Sequence, residues 1–127
     1  MSYLGLAGVN LNTDTISWYL SNATPNVSTM SVKADLAEIT NQNGYTAPID
    51  SGNSYSVTTG IGTLVCTDGT VTASGGTVGP FQHIGFYDDT HASDILMGYV
   101  SYASAITLAD GESFVTDFGA YLATFGG

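Results

Sequence analysis

The chain has 127 residues, with one basic side chain (Lys33) against eleven carboxylates, sixteen glycines, a single cysteine and a formal net charge of −10. At that length one domain over 1–127 is expected, because single cores run to about 100–150 residues. With Lys33 alone positive there are too few cations to displace counterions from a phosphate backbone, so nucleic acid and anionic membrane are poor partners.

Only 9% of the residues are charged, so the hydrogen-bonding surface must come mainly from Ser, Thr, Asn and Gly, which favour turns and extended chain over helix. No basic region precedes the first apolar residues, and no apolar run approaches the roughly 20 residues that cross a bilayer. Neither a signal peptide nor a membrane span is therefore expected.

In chain order, residues 16–20 alternate as a first strand. Val32, Leu36 and Ile39 recur at helical spacing after Ser31, a candidate N-cap, and predict at most one short helix near residues 32–39; a strand over 35–40 is the alternative. Asn43-Gly44 marks a turn. Residues 55–59 and 61–67 read as strands, and Asp68-Gly69 as a tight hairpin turn leading into 70–72. Residues 74–80 read as a loop. Residues 81–87 and 95–102 carry the strongest strand pattern, followed by 105–108, a turn over 109–112 and a last strand over 113–118. Seven or eight short strands with turn signals every 8–12 residues describe an all-β fold, a single antiparallel β-sandwich of jelly-roll or immunoglobulin-like type.

Cys66 sits in an apolar strand context and is expected to be an inert core residue. Asp88, Asp89 and Asp94 lie with His91 in one turn. Oxygen ligands in a loop are the chemistry of a calcium site, but the spacing lacks an EF-hand pattern and Asp belongs in turns for backbone reasons, so no metal is expected. Asp110 and Glu112 flank Gly111 in a solvated turn. His83 faces opposite to Ile84 and Phe86 in a regular strand and reads as a surface or interface imidazole. There is no Gly-x-Ser-x-Gly elbow and no Cys–His signature, and Thr59-Gly60-Ile61-Gly62 lacks phosphate-loop spacing, so neither an enzyme nor a cofactor is expected. The eight tyrosines are the feature with meaning beyond folding. Tyr87, Tyr99 and Tyr102 on neighbouring strands suit a protein interface, or else a sugar-stacking face. Terminal apolar residues, Tyr3, Leu4 and Leu6 at one end and Phe118, Tyr121, Leu122 and Phe125 at the other, suit docking arms.

The order of these parts carries a resemblance. A strand and turn over 16–25 precede Asp35-Leu36-Ala37-Glu38-Ile39 and Gly44-Tyr45-Thr46-Ala47-Pro48. An aromatic strand then ends in Tyr87-Asp88-Asp89-Thr90, followed by Met97-Gly98-Tyr99-Val100 and by Ile106-Thr107-Leu108-Ala109-Asp110-Gly111-Glu112-Ser113-Phe114. In this order the chain resembles small tailed-phage virion proteins of the capsid cement or decoration kind. The resemblance implies a β-sandwich that clusters, often as a homotrimer, on the outer capsid surface of the virion, with the major capsid protein or other virion proteins as partners. Residues 119–127 extend beyond the final strand, where the resembling proteins commonly end. A phage tail or fibre component, or a carbohydrate-binding sandwich, is the alternative.

Overall fold

A computed structural model of the chain describes residues 2–3, 9–116 and 123–126, with side chains placed over 9–116. Ten strands follow in order: β1 (Ser2–Tyr3), β2 (Ile16–Ser21), β3 (Ile49–Asp50), β4 (Ser54–Thr58), β5 (Ile61–Val65), β6 (Gly69–Thr72), β7 (Val78–Asp88), β8 (Leu96–Leu108), β9 (Ser113–Thr116) and β10 (Ala123–Gly126). Every pairing is antiparallel, so the fold is all-β. The strands form a five-stranded sheet ordered β1-β8-β7-β2-β3, a three-stranded sheet β10-β5-β4 and a two-stranded ribbon β6-β9.

Period-two alternation places the core. Ile16, Trp18 and Leu20 of β2 and Ile84 and Phe86 of β7 point to one side, where Leu64 of β5, Val71 of β6 and Met97 and Leu108 of β8 meet them in the main cluster. All three sheets thus contribute to one body of apolar side chains. The other face of β2 and β7 is also covered: Tyr19 and Tyr87 pack with Met30, Leu36 and Leu96 in a second cluster. Every residue of β2 is buried for this reason.

The expected helix near 32–39 is a single 3-10 turn, Lys33–Asp35. Ser31 does not cap it. Instead Asp35 Oδ2 accepts the Ser31 and Val32 N–H groups at 2.8 and 3.1 Å, and these bonds hold the Asp35 carboxyl below the usual range. Leu36 is needed under Tyr19, and at Leu36 the chain turns extended, so no second helical turn follows.

The expected hairpin at Asp68-Gly69 is also absent. β5 pairs with β4 and β10, whereas β6 pairs with β9, so residues 66–68 carry the chain from one sheet to another. Gly69 serves a close approach instead of a turn: a Cβ there would lie 2.6 Å from Trp18 Cζ2. The tight hairpin lies one strand earlier, where Thr59 and Gly60 join β4 to β5 with φ of 53° and 80°. Two successive positive φ values give the twist that a two-residue hairpin needs. Residues 95–102 and 105–108 merge into the single long β8, whose pairing with β7 shifts register three times.

The tail contributes a strand. Ala123–Gly126 pair with Leu64 to Ile61, making β10 the neighbour of β5. Deleting 119–127 is expected to lower the thermal midpoint by several degrees, since a strand of the fold is lost. A truncated chain with an unchanged melting curve would show β10 to be dispensable.

Candidate functional site

The constellation richest in functional side-chain types lies on the second face of the large sheet. It is built around the chain's one basic residue. The Lys33 backbone N–H donates to the Asp94 carbonyl at 2.8 Å, and a bridge between Val32 and Ile95 fixes the 3-10 turn against the start of β8. From there the ammonium sits 5.1 Å from the centroid of the Tyr19 ring and 5.4 Å from that of Tyr87. Its Nζ pairs with Glu38 Oε1 at 3.2 Å. The two rings meet edge to face at 5.8 Å. Tyr19 Oη lies 2.9 Å from the Leu36 carbonyl and 3.1 Å from that of Lys33, so its hydroxyl donates inside the fold.

Burial, followed by nearby carboxylates, pushes the Tyr19 and Tyr87 phenols well above their usual range. Both are therefore neutral donors rather than bases. A cation held over two neutral rings and paired with a carboxylate is a closed structural unit, with its charge already answered.

Tyr87 is accordingly not available as an interface or stacking residue: it is 2% exposed, beneath the Lys33 side chain. The expected row of three tyrosines does not form. Tyr99 packs against the second cluster, edge to face with His83 at 6.3 Å. Tyr102 packs on the opposite, main-core side against Phe114 at 5.5 Å, and Phe114 in turn contacts Phe81 at 5.1 Å. Leu4, Leu6, Phe118, Tyr121 and Leu122 lie outside the described residues, and for Tyr3 and Phe125 only the strand pairing is described. The large apolar side chains that are exposed among the described residues are Val27, Val57, Ile61 and Val115, the middle two flanking the Thr59-Gly60 turn.

His83, expected at the surface, is 7% exposed. Its Nδ1 lies 2.8 Å from Ser101 Oγ across the β7–β8 ladder, and burial lowers its basicity. Cys66 is buried as expected, and burial raises its thiol, which keeps it unreactive.

The acidic residues of the β7–β8 turn take separate partners. Asp88 Oδ1 accepts the Thr90 and His91 N–H groups at 3.0 and 3.2 Å. Asp89 Oδ2 accepts from Ser17 Oγ at 3.2 Å, while His91 Nδ1 accepts the Ser93 N–H at 3.0 Å. Asp94 takes a left-handed conformation, φ 47°, and uses its carbonyl to hold Lys33. Among the described residues no three His, Cys, Asp or Glu side chains converge as a metal set. Asp110 accepts the N–H of the distant Gly75, and Glu112 the local N–H of Ala109.

Comparison with protein-family models, with curated proteins and with solved structures finds no match.

One group carries no signal in the sequence. Asp14, in a polar stretch before β2, comes within hydrogen-bond reach of Asp88. No local spacing marks this contact, because it arises only when β2 pairs with β7.

Proposed function

We propose that the chain is a structural subunit of a virus particle, a capsid cement or decoration protein that docks on the outside of a tailed-phage head and adds buried area to the shell. The observation that carries this reading is the internal commitment of Lys33. Ten net negative charges stand on the chain, and its one cation is taken up by Glu38 and two aromatic rings. A surface so depleted of positive charge is complementary to a basic partner, and the major capsid protein is the partner that the resemblance implies. The finer architecture belongs to the same proposal: the three antiparallel sheets close on their shared core as a β-sandwich, and the subunits trimerise.

The glycan reading loses its support with Tyr87 buried and with Tyr99 and Tyr102 on opposite faces of the sheet. Tail or fibre attachment relies on the same acidic surface and differs only in where the chain sits on the particle.

The test is co-sedimentation with undecorated heads, joined to a mass measurement in solution. Binding is expected at low ionic strength and to weaken steeply towards about 1 M salt, where the screening length falls to about 3 Å. Failure to co-sediment at any ionic strength would remove the head-binding reading, and labelled chain found on tails would replace it by the alternative.

A further inference from the structure

Asp88 is the last residue of β7, and alternation along that strand puts it on the side that carries Ile84 and Phe86 into the main cluster. The residue is 0% exposed. An ionised carboxylate in such a place needs donors for both oxygens. Oδ1 has the Thr90 and His91 N–H groups. Oδ2 is buried and has no donor among the described residues.

What does reach Asp88 is a second carboxyl group. Asp14 organises the turn before β2, its Oδ2 accepting the Asn10 N–H at 3.0 Å, and Ile16, two residues on, is the register partner of Asp88, which brings the two carboxyl groups within hydrogen-bond reach. Around the pair, Asn53 accepts the Ile16 N–H and donates to the Asp14 carbonyl, and Thr90 Oγ1 accepts the Thr15 N–H. The segment entering β2 and the segment leaving β7 are thus stitched together with two carboxyl groups between them.

Two ionised carboxylates at this distance repel one another, and Asp88 Oδ2 would be left without a partner. One proton removes both faults, because a protonated Asp88 can donate to an ionised Asp14. We propose that Asp14 and Asp88 share a single proton and act as a carboxyl–carboxylate clasp, fastening the chain before β2 to the end of β7 and loosening when the proton leaves.

The charges facing the pair agree. Burial first, and then Asp14, push the Asp88 carboxyl up to about 6. The contact with Asp88 and the Asn10 N–H hold Asp14 below its usual value, with a smaller contribution from the His91 imidazole across the turn. Asn53, packed against Asp14 from the chain after β3, is neutral, and the neighbouring Asp89 is turned to Ser17. Asp88, raised when folded, contributes stability in full below its ordinary value of 3.8 and loses it as pH rises through about 6. Asp14, lowered when folded, loses its contribution as pH falls below 3.8. The clasp is therefore tightest at about pH 4–5, with one proton on the pair, and loose at neutral pH and above.

The experiment is thermal and urea unfolding of the wild type and of Asp88→Asn from about pH 3 to 8, in EDTA and again with calcium. The amide that this substitution introduces imitates the protonated acid at every pH. The two proteins should match near pH 3, the variant should become progressively the more stable between about pH 4 and 6, and the gap should then stay constant. The folding equilibrium constants should differ by up to about a hundredfold at pH 8, the size of a two-unit shift. The comparison with Asp88→Asn cancels the pH response of His83, which both proteins share. A carboxyl-carbon NMR titration of the wild type supplies a second reading and should place one of these two groups near pH 6. Stability curves that stay parallel through the interval from about pH 3 to 6, or both carboxyls titrating near 4, would overturn the clasp. Calcium raising the wild-type midpoint at pH 7.5 but not that of the variant would overturn it too, by showing that a cation, not a proton, joins the pair.

Discussion

Replacing Gly85 by alanine is expected to unfold most of the population at urea concentrations where the wild type is still folded. Gly85 is the register partner of Tyr19, and a Cβ built on it would lie 2.6 Å from Tyr19 Cζ, 2.7 Å from Cε1 and 2.8 Å from Oη. Real Cβ atoms do not approach other atoms so closely, so the ring would have to move. It has nowhere to go: Tyr19 is 0% exposed, its hydroxyl is tied to the Lys33 and Leu36 carbonyls, and Lys33 lies over its face. Overpacking of this kind, added to a displaced buried hydroxyl, costs about 3 kcal/mol or more, a large share of the roughly 5–15 kcal/mol that holds such a domain together. Urea unfolding should show a lower midpoint at unchanged slope. The cause is isolated by a cycle: in a Tyr19→Ala background the same glycine substitution should cost under about 0.5 kcal/mol, because the ring it strikes is gone. Additive costs would place the problem elsewhere.

That glycine also shows where sequence reading reaches and where it stops. Alternation along residues 16–20 and 81–87 is enough to place both strands, since a period of two is written into the residues themselves. It does not tell that β2 and β7 are buried on both faces. For that the chain over 22–45 must fold back across them with Met30 and Leu36, a non-local event with no local mark. Tyr87 and His83 read as outward-facing for this reason, and both prove buried. Asp68-Gly69 and Thr59-Gly60 make the same point about turns. The first has the residue types of a hairpin and uses its glycine to admit the Trp18 ring, whereas the second, less typical pair adopts the positive φ values. Residue type states what a position permits, and the surrounding packing decides which permission is used. The carboxylates follow suit. Turn chemistry for Asp94 is legible, but the bond of Asp89 to Ser17 and the partnership of Asp88 with Asp14 depend on strand pairing.

Replacing Lys33 by methionine is expected to destabilise the fold by about 2 kcal/mol, an effect well above that of an ordinary surface lysine. Methionine keeps the apolar stem over the Tyr19 and Tyr87 rings, so the loss isolates the charge. Contact with two rings at about 0.5–1 kcal/mol each accounts for most of it, and a partly screened ion pair adds about 0–1 kcal/mol. Glu38, its side chain 23% exposed, would then face two buried rings with no cation beside it. Adding Glu38→Gln to Lys33→Met should therefore restore part of the stability, measured as the urea midpoint of the double variant against the single one. The same substitution bears on the proposed function. It takes the net charge from −10 to −11, yet it removes a cation that Glu38 and the two rings already engage. If the acidic surface is what meets the shell, folded Lys33→Met protein should co-sediment with undecorated heads as well as the wild type does, below the temperature at which it begins to unfold. A folded variant that no longer binds would make Lys33 itself a contact, and the argument from a cation-free surface would fail.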